Sequence, residues 1–284
     1  YEGAEWTDLQ GNFWVFGGVI TGTMVASALW KYDPSVNMWT WMKGSSSLNA
    51  IGVYGVQGIP AAPNTPGARG WGCTTWTDKQ GNLWLFGGHG FDAFGTYNQL
   101  SDLWKYDIAT NMWTWMNGPN IVLQSGSYGT QNVTSPTNYP KAREECSASW
   151  TDNTGNIWLF GGLTIIPMFG NLNDLWKYDV GINQWTWMKG KNTINFPGIY
   201  GTKGVSTPTN DPPSRWSYTK WKDVYGNLWM FEGYHRISAS SFDTTYCDVW
   251  KYDVYKSEWV WMGGSNVANN PGNFGSYCTY SVTN

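Results

Sequence analysis

Residues 81–88 read GNLWLFGG and residues 104–115 read WKYDIATNMWTW. The first stretch is a short apolar run between a turn glycine and a double glycine, which is typical of a strand buried on both faces. The second begins with alternating aromatic and polar side chains, so the two faces of that strand differ. Further on, Trp113 and Trp115 share one face of another strand. Together these stretches predict short antiparallel strands.

Both stretches recur four times in the 284-residue chain. The first recurs at intervals of 70 to 74 residues, and the two tryptophan motifs of the second recur at intervals of 72 or 74 residues. Four short strands repeated at a fixed period are typical of the blades of a β-propeller. The sequence therefore predicts an all-β fold. The copies of the first stretch begin at Gly11, Gly81, Gly155 and Gly226. The Trp-Lys-Tyr-Asp motif begins at Trp30, Trp104, Trp176 and Trp250, and the Trp-x-Trp motif begins at Trp39, Trp113, Trp185 and Trp259.

In the second unit we expect strands over residues 71–76, 82–86 and 102–106, and a fourth strand that contains Trp113. Asp78 and Gly81 supply a turn between the first two. Because aspartates recur in every unit, we interpret them as turn residues that bind nearby backbone N–H groups, rather than as catalytic acids. They are Asp8, Asp78, Asp152 and Asp223, and Asp33, Asp107, Asp179 and Asp253.

The repeat resembles the kelch repeat, which is found in the kelch family and in the propeller domain of galactose oxidase. The resemblance rests on a double glycine followed by a tyrosine and a tryptophan seven positions apart, a spacing that all four units keep. The fourth unit departs from the double glycine, since it has Glu232 before Gly233. The quoted residues are Gly17-Gly18, Gly87-Gly88 and Gly161-Gly162, Tyr32/Trp39, Tyr106/Trp113, Tyr178/Trp185 and Tyr252/Trp259, and Arg69, Arg143 and Arg215 in the preceding strand.

The resemblance implies a single propeller over residues 1–284, of four kelch-like blades with four antiparallel strands each. The predicted blades are 1–64, 65–138, 139–210 and 211–284. Since propellers have about four to eight blades, three arrangements are open. The four units form a closed ring, or part of a larger ring, or identical chains join end to end into a fibre through contacts that do not close.

Each unit is longer than an ordinary kelch blade, because a polar, glycine-rich segment follows its fourth strand. The segment keeps its own register at Tyr54, Tyr128, Tyr200 and Phe274, which predicts an ordered loop. This long aromatic form is similar to the tandem repeats of large secreted or surface proteins in bacteria. The resemblance implies an extracellular or cell-surface location.

Composition and motifs argue against several classes of function. The formal net charge is −3 without a run of Lys or Arg, so we expect no nucleic-acid partner. The sequence has no stretch of 18 apolar residues, so we expect no membrane insertion. A copper site like that of galactose oxidase needs two histidines, and the two present, His89 and His235, lack ligand spacing. We expect no metal, no cofactor and no catalytic residue, and a copper oxidase is the least favoured alternative.

Six loop aromatics fall outside the repeat register, between the second and third strands of their units. Such side chains could form a surface for a ligand or partner. The leading hypothesis is a non-catalytic propeller that acts in protein binding, adhesion or self-assembly, for example into a filament. A carbohydrate-binding, lectin-like propeller is the alternative. The six residues are Phe91, Phe94, Tyr97, Phe169, Tyr234 and Phe242.

Two kinds of covalent modification are also suggested by the sequence. Asn132 begins an N-glycosylation sequon on a long loop, as in a glycoprotein. Cys247 and Cys278 could form a disulfide in an oxidising compartment. Cys73 and Cys146 occupy equivalent places in consecutive units, and we expect them to be buried free thiols.

Overall fold

The structure is a computed structural model, and it describes residues 1–145, 148–236, 243–273, 275 and 277–278. These residues form strands and loops. The strands in chain order are β1 (Ala4–Thr7), β2 (Phe13–Phe16), β3 (Val19–Thr21), β4 (Met24–Val25), β5 (Leu29–Asp33), β6 (Met38–Lys43), β7 (Arg69–Gly70), β8 (Thr74–Thr77), β9 (Leu83–Phe86), β10 (His89–Phe91), β11 (Tyr97–Gln99), β12 (Leu103–Asp107), β13 (Met112–Asn117), β14 (Ala148–Thr151), β15 (Ile157–Thr164), β16 (Gly170–Asp179), β17 (Gln184–Lys189), β18 (Thr219–Lys222), β19 (Leu228–His235), β20 (Thr244–Asp253) and β21 (Glu258–Gly264).

Four antiparallel sheets of four strands account for most of these strands. Their strand orders are β1-β2-β5-β6, β8-β9-β12-β13, β14-β15-β16-β17 and β18-β19-β20-β21. We call them blades 1 to 4. Two small sheets, β3-β4 and β7-β10-β11, lie in the loops of the first two units. The all-β fold and the four-stranded blades agree with the prediction from the repeat.

The first strand of blade 2 is shorter than predicted. Trp71 and Gly72 both have a positive φ, at 55° and 66°, and this conformation interrupts a strand. The strand therefore begins at Thr74, and Arg69–Gly70 pairs separately with β10.

The recurrent aspartates hold the turn between the first two strands of each blade. Asp78 Oδ1 accepts from the backbone N–H groups of Gln80 and Asn82, and its Oδ2 accepts from the indole of Trp84. Asp8, Asp152 and Asp223 make the equivalent bonds. These contacts give each of the four carboxylates a structural role in its turn.

The blades lie side by side through their first strands, in the order β1, β8, β14, β18. Side chains of each strand reach the backbone of the preceding one. The hydroxyl of Thr77 donates to the carbonyl of Thr7 at 3.2 Å, and that of Ser149 donates to the carbonyl of Thr75 at 3.0 Å. In blade 4, Lys222 Nζ donates to the carbonyl of Thr151 at 2.8 Å. The first strands thus form a continuous inner layer.

Candidate binding surfaces at the ends of the blade array

Neighbouring blades pack through aromatic side chains that differ on the two sides of a blade. One side, the Trp–Phe face, carries a tryptophan and a phenylalanine of the second strand. The other, the Tyr–Trp face, carries the tyrosine and the tryptophan that lie seven positions apart in each unit. Where blade 1 meets blade 2, Trp14 contacts Tyr106 with ring centroids 5.6 Å apart, and Phe16 contacts Trp113 at 5.5 Å. The same pairs recur as Trp84–Tyr178, Phe86–Trp185, Trp158–Tyr252 and Phe160–Trp259.

The long segments of the first three units cross to the next blade and pack against it. Tyr128 packs on Trp176 and Trp187, with ring centroids 4.9 and 5.1 Å away, and its hydroxyl donates to Asp174 at 2.7 Å. Tyr54 and Tyr200 make equivalent contacts. The repeated tyrosine is therefore an anchor between blades.

A buried arginine completes this anchor. Arg143 donates to both oxygens of Asp174 at 2.7 Å, and both side chains are fully buried. Burial alone would raise the pKa of Asp174, but Arg143 and the hydrogen bonds from Tyr128 and Trp176 hold the pKa below its ordinary value. The same arrangement joins Arg69 to Asp102 and Arg215 to Asp248.

Blade 1 leaves its Tyr–Trp face exposed, and we call this surface the blade 1 end face. Trp39 is 55% exposed, whereas its equivalents Trp113, Trp185 and Trp259 are fully buried. Trp30 and Trp41 on the same face are 40% and 49% exposed. A cavity of about 600 Å³ lined by Trp41, Lys43 and Asn64 opens beside them.

Blade 4 leaves its Trp–Phe face exposed, and we call this surface the blade 4 end face. Phe231 is 36% exposed, although its equivalents in the other blades are fully buried. Trp221 is 41% exposed and stacks on the half-buried Trp229 at 5.8 Å. A cavity of about 540 Å³ in the same blade is lined by Tyr218, Tyr246 and Cys247.

The predicted loop aromatics do not form one cluster among the described residues. Phe91 pairs with Tyr97 across β10 and β11, and both pack against a small apolar cluster around Val19. Phe94 is 74% exposed at the tip of that loop. The others are separate: Phe169 is half-buried in another loop, Tyr234 packs on Trp216 with ring centroids 5.5 Å apart, and Phe242 lies outside the described residues.

The two histidines are bound to different groups. His89 Nδ1 pairs with Glu144 at 2.7 Å, and His235 Nδ1 lies 2.9 Å from the carbonyl of Ser214. In the part of the chain that the structure describes, no three His, Cys, Asp or Glu side chains are grouped as metal ligands would be. Glu145 is half-buried near Glu2 and Glu144, and burial together with these carboxylates raises its pKa to about 7.

Asn132 and the cysteines are placed as follows. Asn132 is exposed, with φ at 65°, and its backbone N–H donates to the carbonyl of Trp187. Gly58 and Gly204 occupy the equivalent place, so this position needs a left-handed backbone. Cys247 and Cys278 are free in the structure, and the Cys247 thiol donates to the carbonyl of Asn270 at 3.4 Å. Their pairing in an oxidising compartment stays a prediction. Cys73 is also free, and Cys146 lies outside the described residues.

The comparison with solved structures decides the fold. The structure of YjhT, a propeller, superimposes with a TM-score of 0.55 at 13% sequence identity. The fold is a β-propeller. The match covers 93% of this chain and 70% of YjhT, so the four blades superimpose on a part of the YjhT chain. No family model matches the sequence, and no curated protein matches it. Within the described residues there is no helix that is long and apolar enough to cross a membrane.

Proposed function

We propose that this chain is a non-catalytic, kelch-type propeller that works by protein binding and assembly through its two end faces. The observation that supports this most is the exposure of Trp39 and Phe231 at positions where the other blades have fully buried side chains. Each end face has the aromatic composition of an interface between blades. A further blade surface is therefore the partner whose shape and chemistry fit best.

Exposure of these rings has an energetic cost. Burial of apolar surface contributes about 25 cal/mol per Å², and a buried aromatic side chain removes roughly 150–250 Å² from water. Several large rings left together on one sheet face therefore provide a strong driving force for association. Contiguous exposed patches of this kind mark sites of protein interaction.

The kelch assignment and the extracellular location belong to this proposal. They are supported by the tyrosine and tryptophan seven positions apart in all four units, and by the resemblance of the long units to secreted and surface repeat proteins. A carbohydrate-binding function has less support. Phe91 and Tyr97 pack against each other and against Val19, which leaves Phe94 as the exposed ring of that loop.

Site-specific photo-crosslinking tests the proposed function. A photoreactive amino acid at position 39 or at position 231 is expected to crosslink to polypeptide in the native secreted or surface-attached material. The matched control places it at position 94, at the exposed loop tip away from both end faces, where we expect at least tenfold less crosslinking. Crosslinks to protein from position 94 but not from 39 or 231 would refute an interface at the end faces.

A further inference from the structure

We infer that the partner of the blade 4 end face is the blade 1 end face of a second copy of this chain, in a head-to-tail contact. The inference rests on the proposed function and names the partner. At each internal junction a Trp–Phe face packs on a Tyr–Trp face. A second copy brings the same combination: Trp229 against Tyr32, and Phe231 against Trp39, in place of the internal pairs at 5.4 to 5.8 Å.

Glu232 shows that a blade of the internal type does not fit on blade 4. A Cβ at Gly17, Gly87 or Gly161 would lie 2.5 to 2.9 Å from the carbonyl oxygen of the arginine that joins the next blade. Glu232 occupies the equivalent place with φ at 58°, and it has a Cβ. A next blade that brought its arginine in the same way would therefore clash with Glu232.

Blade 1 lacks the aspartate that binds the buried arginine in blades 2 to 4. Ala28 stands at the position of Asp102, Asp174 and Asp248, and its carbonyl accepts from Gly17 as that of Asp102 accepts from Gly87. A carboxylate that the contact would bury is thus replaced by a methyl group, so that no buried charge is left without a partner.

Charges on the inner layer are also complementary across this contact. Glu5, Thr75, Ser149 and Lys220 share one register position on the first strands. The Ser149 hydroxyl of blade 3 donates to the carbonyl of Thr75 in blade 2, and Lys220 Nζ of blade 4 donates to the Ser149 hydroxyl. Each side chain thus bonds to the residue of the same register in the preceding blade. Glu5 of a second copy would take the next place, beside Lys220. Opposite charges then meet at the contact between copies.

Blocked variants test the head-to-tail contact. Trp39→Glu blocks one end face and Phe231→Glu blocks the other; both residues are exposed, so we expect both variants to fold. Light scattering coupled to size-exclusion chromatography should show wild-type species above 32.0 kDa that grow with concentration. Each variant alone should be a monomer, and an equimolar mixture should form a dimer of twice that mass, because one open face of each remains. Phe94→Glu is the matched control and should assemble like the wild type.

Other results would overturn the inference. A wild type that is monomeric at all concentrations, or a mixture that stays monomeric, would exclude a second copy as the partner. A dimer formed by one variant alone would indicate a contact between identical faces. If position 39 nevertheless crosslinks to a different polypeptide, the proposed function remains and this inference fails.

A charge exchange gives a second readout that does not depend on the aromatic rings. Glu5→Lys and Lys220→Glu should each weaken association about tenfold or more, since like charges then face each other. The variant with both changes should recover most of the loss. Glu258→Lys, on the outer strand β21 of blade 4, is the control for net charge and should change association less than threefold. Equal weakening by both single changes without recovery in the double variant would contradict this register of contact.

Discussion

Replacing Asp174 with alanine is expected to destabilise the protein by about 3–5 kcal/mol, as removal of one partner from a buried ion pair does. Arg143 would remain fully buried without its carboxylate, and Tyr128 and Trp176 would lose an acceptor. Urea unfolding followed by tryptophan fluorescence measures the change.

The control is Asp179→Ala in the same unit, where the carboxylate accepts backbone bonds in an exposed turn. We expect a loss of about 1 kcal/mol there. Equal losses for the two variants would mean that the arginine anchor does not hold blades 2 and 3 together.

The Asp174 carboxylate also makes the stability of the protein sensitive to acid. Its pKa in the folded protein lies below the ordinary value of 3.8, because Arg143 and its hydrogen bonds favour the charged form. The stability contributed by this group is therefore complete above the ordinary value and is lost as the pH falls through the folded pKa. The difference between wild type and Asp174→Ala should shrink over that range.

Replacing Trp185 with alanine is expected to cost about 3–5 kcal/mol, because the side chain is fully buried and fills the contact between blades 2 and 3. Trp39 has the equivalent sequence position at the blade 1 end face. Trp39→Ala should cost less than about 1 kcal/mol in the monomer, as substitutions at exposed sites usually do.

Unfolding of both variants at a concentration that keeps the protein monomeric provides the comparison. A loss for Trp39→Ala as large as that for Trp185→Ala would contradict an open blade 1 end face. At high concentration the wild type should gain stability relative to Trp39→Ala, since association stabilises the folded state.

The repeat was sufficient to predict the blades, because each unit carries the apolar pattern, the turn aspartate and the glycines of its own four strands. Local chemistry decides those features. The start of β8 could not be predicted in this way, because Trp71 has a left-handed backbone, which a residue with a large side chain rarely adopts.

The end faces could not be found from the repeat, because the same residue type stands at equivalent positions in each unit but has different neighbours in the structure. The repeat predicts Trp229 to be core like Trp14, Trp84 and Trp158, yet it is half-buried because no described blade covers it. The signal lay instead in departures from the repeat. Ala28, Lys220 and Glu232 differ from their equivalents, and all three lie at the ends of the array.

Hydroxyl-radical footprinting of the monomer tests the open blade array most directly. At a dilution where light scattering gives 32.0 kDa, the oxidation of four equivalent tryptophans is compared by mass spectrometry. We expect rapid oxidation of Trp39 and strong protection of Trp113, Trp185 and Trp259. Equal protection of all four tryptophans in a monomer would contradict the account, because blade 4 would then cover blade 1 within a single closed chain.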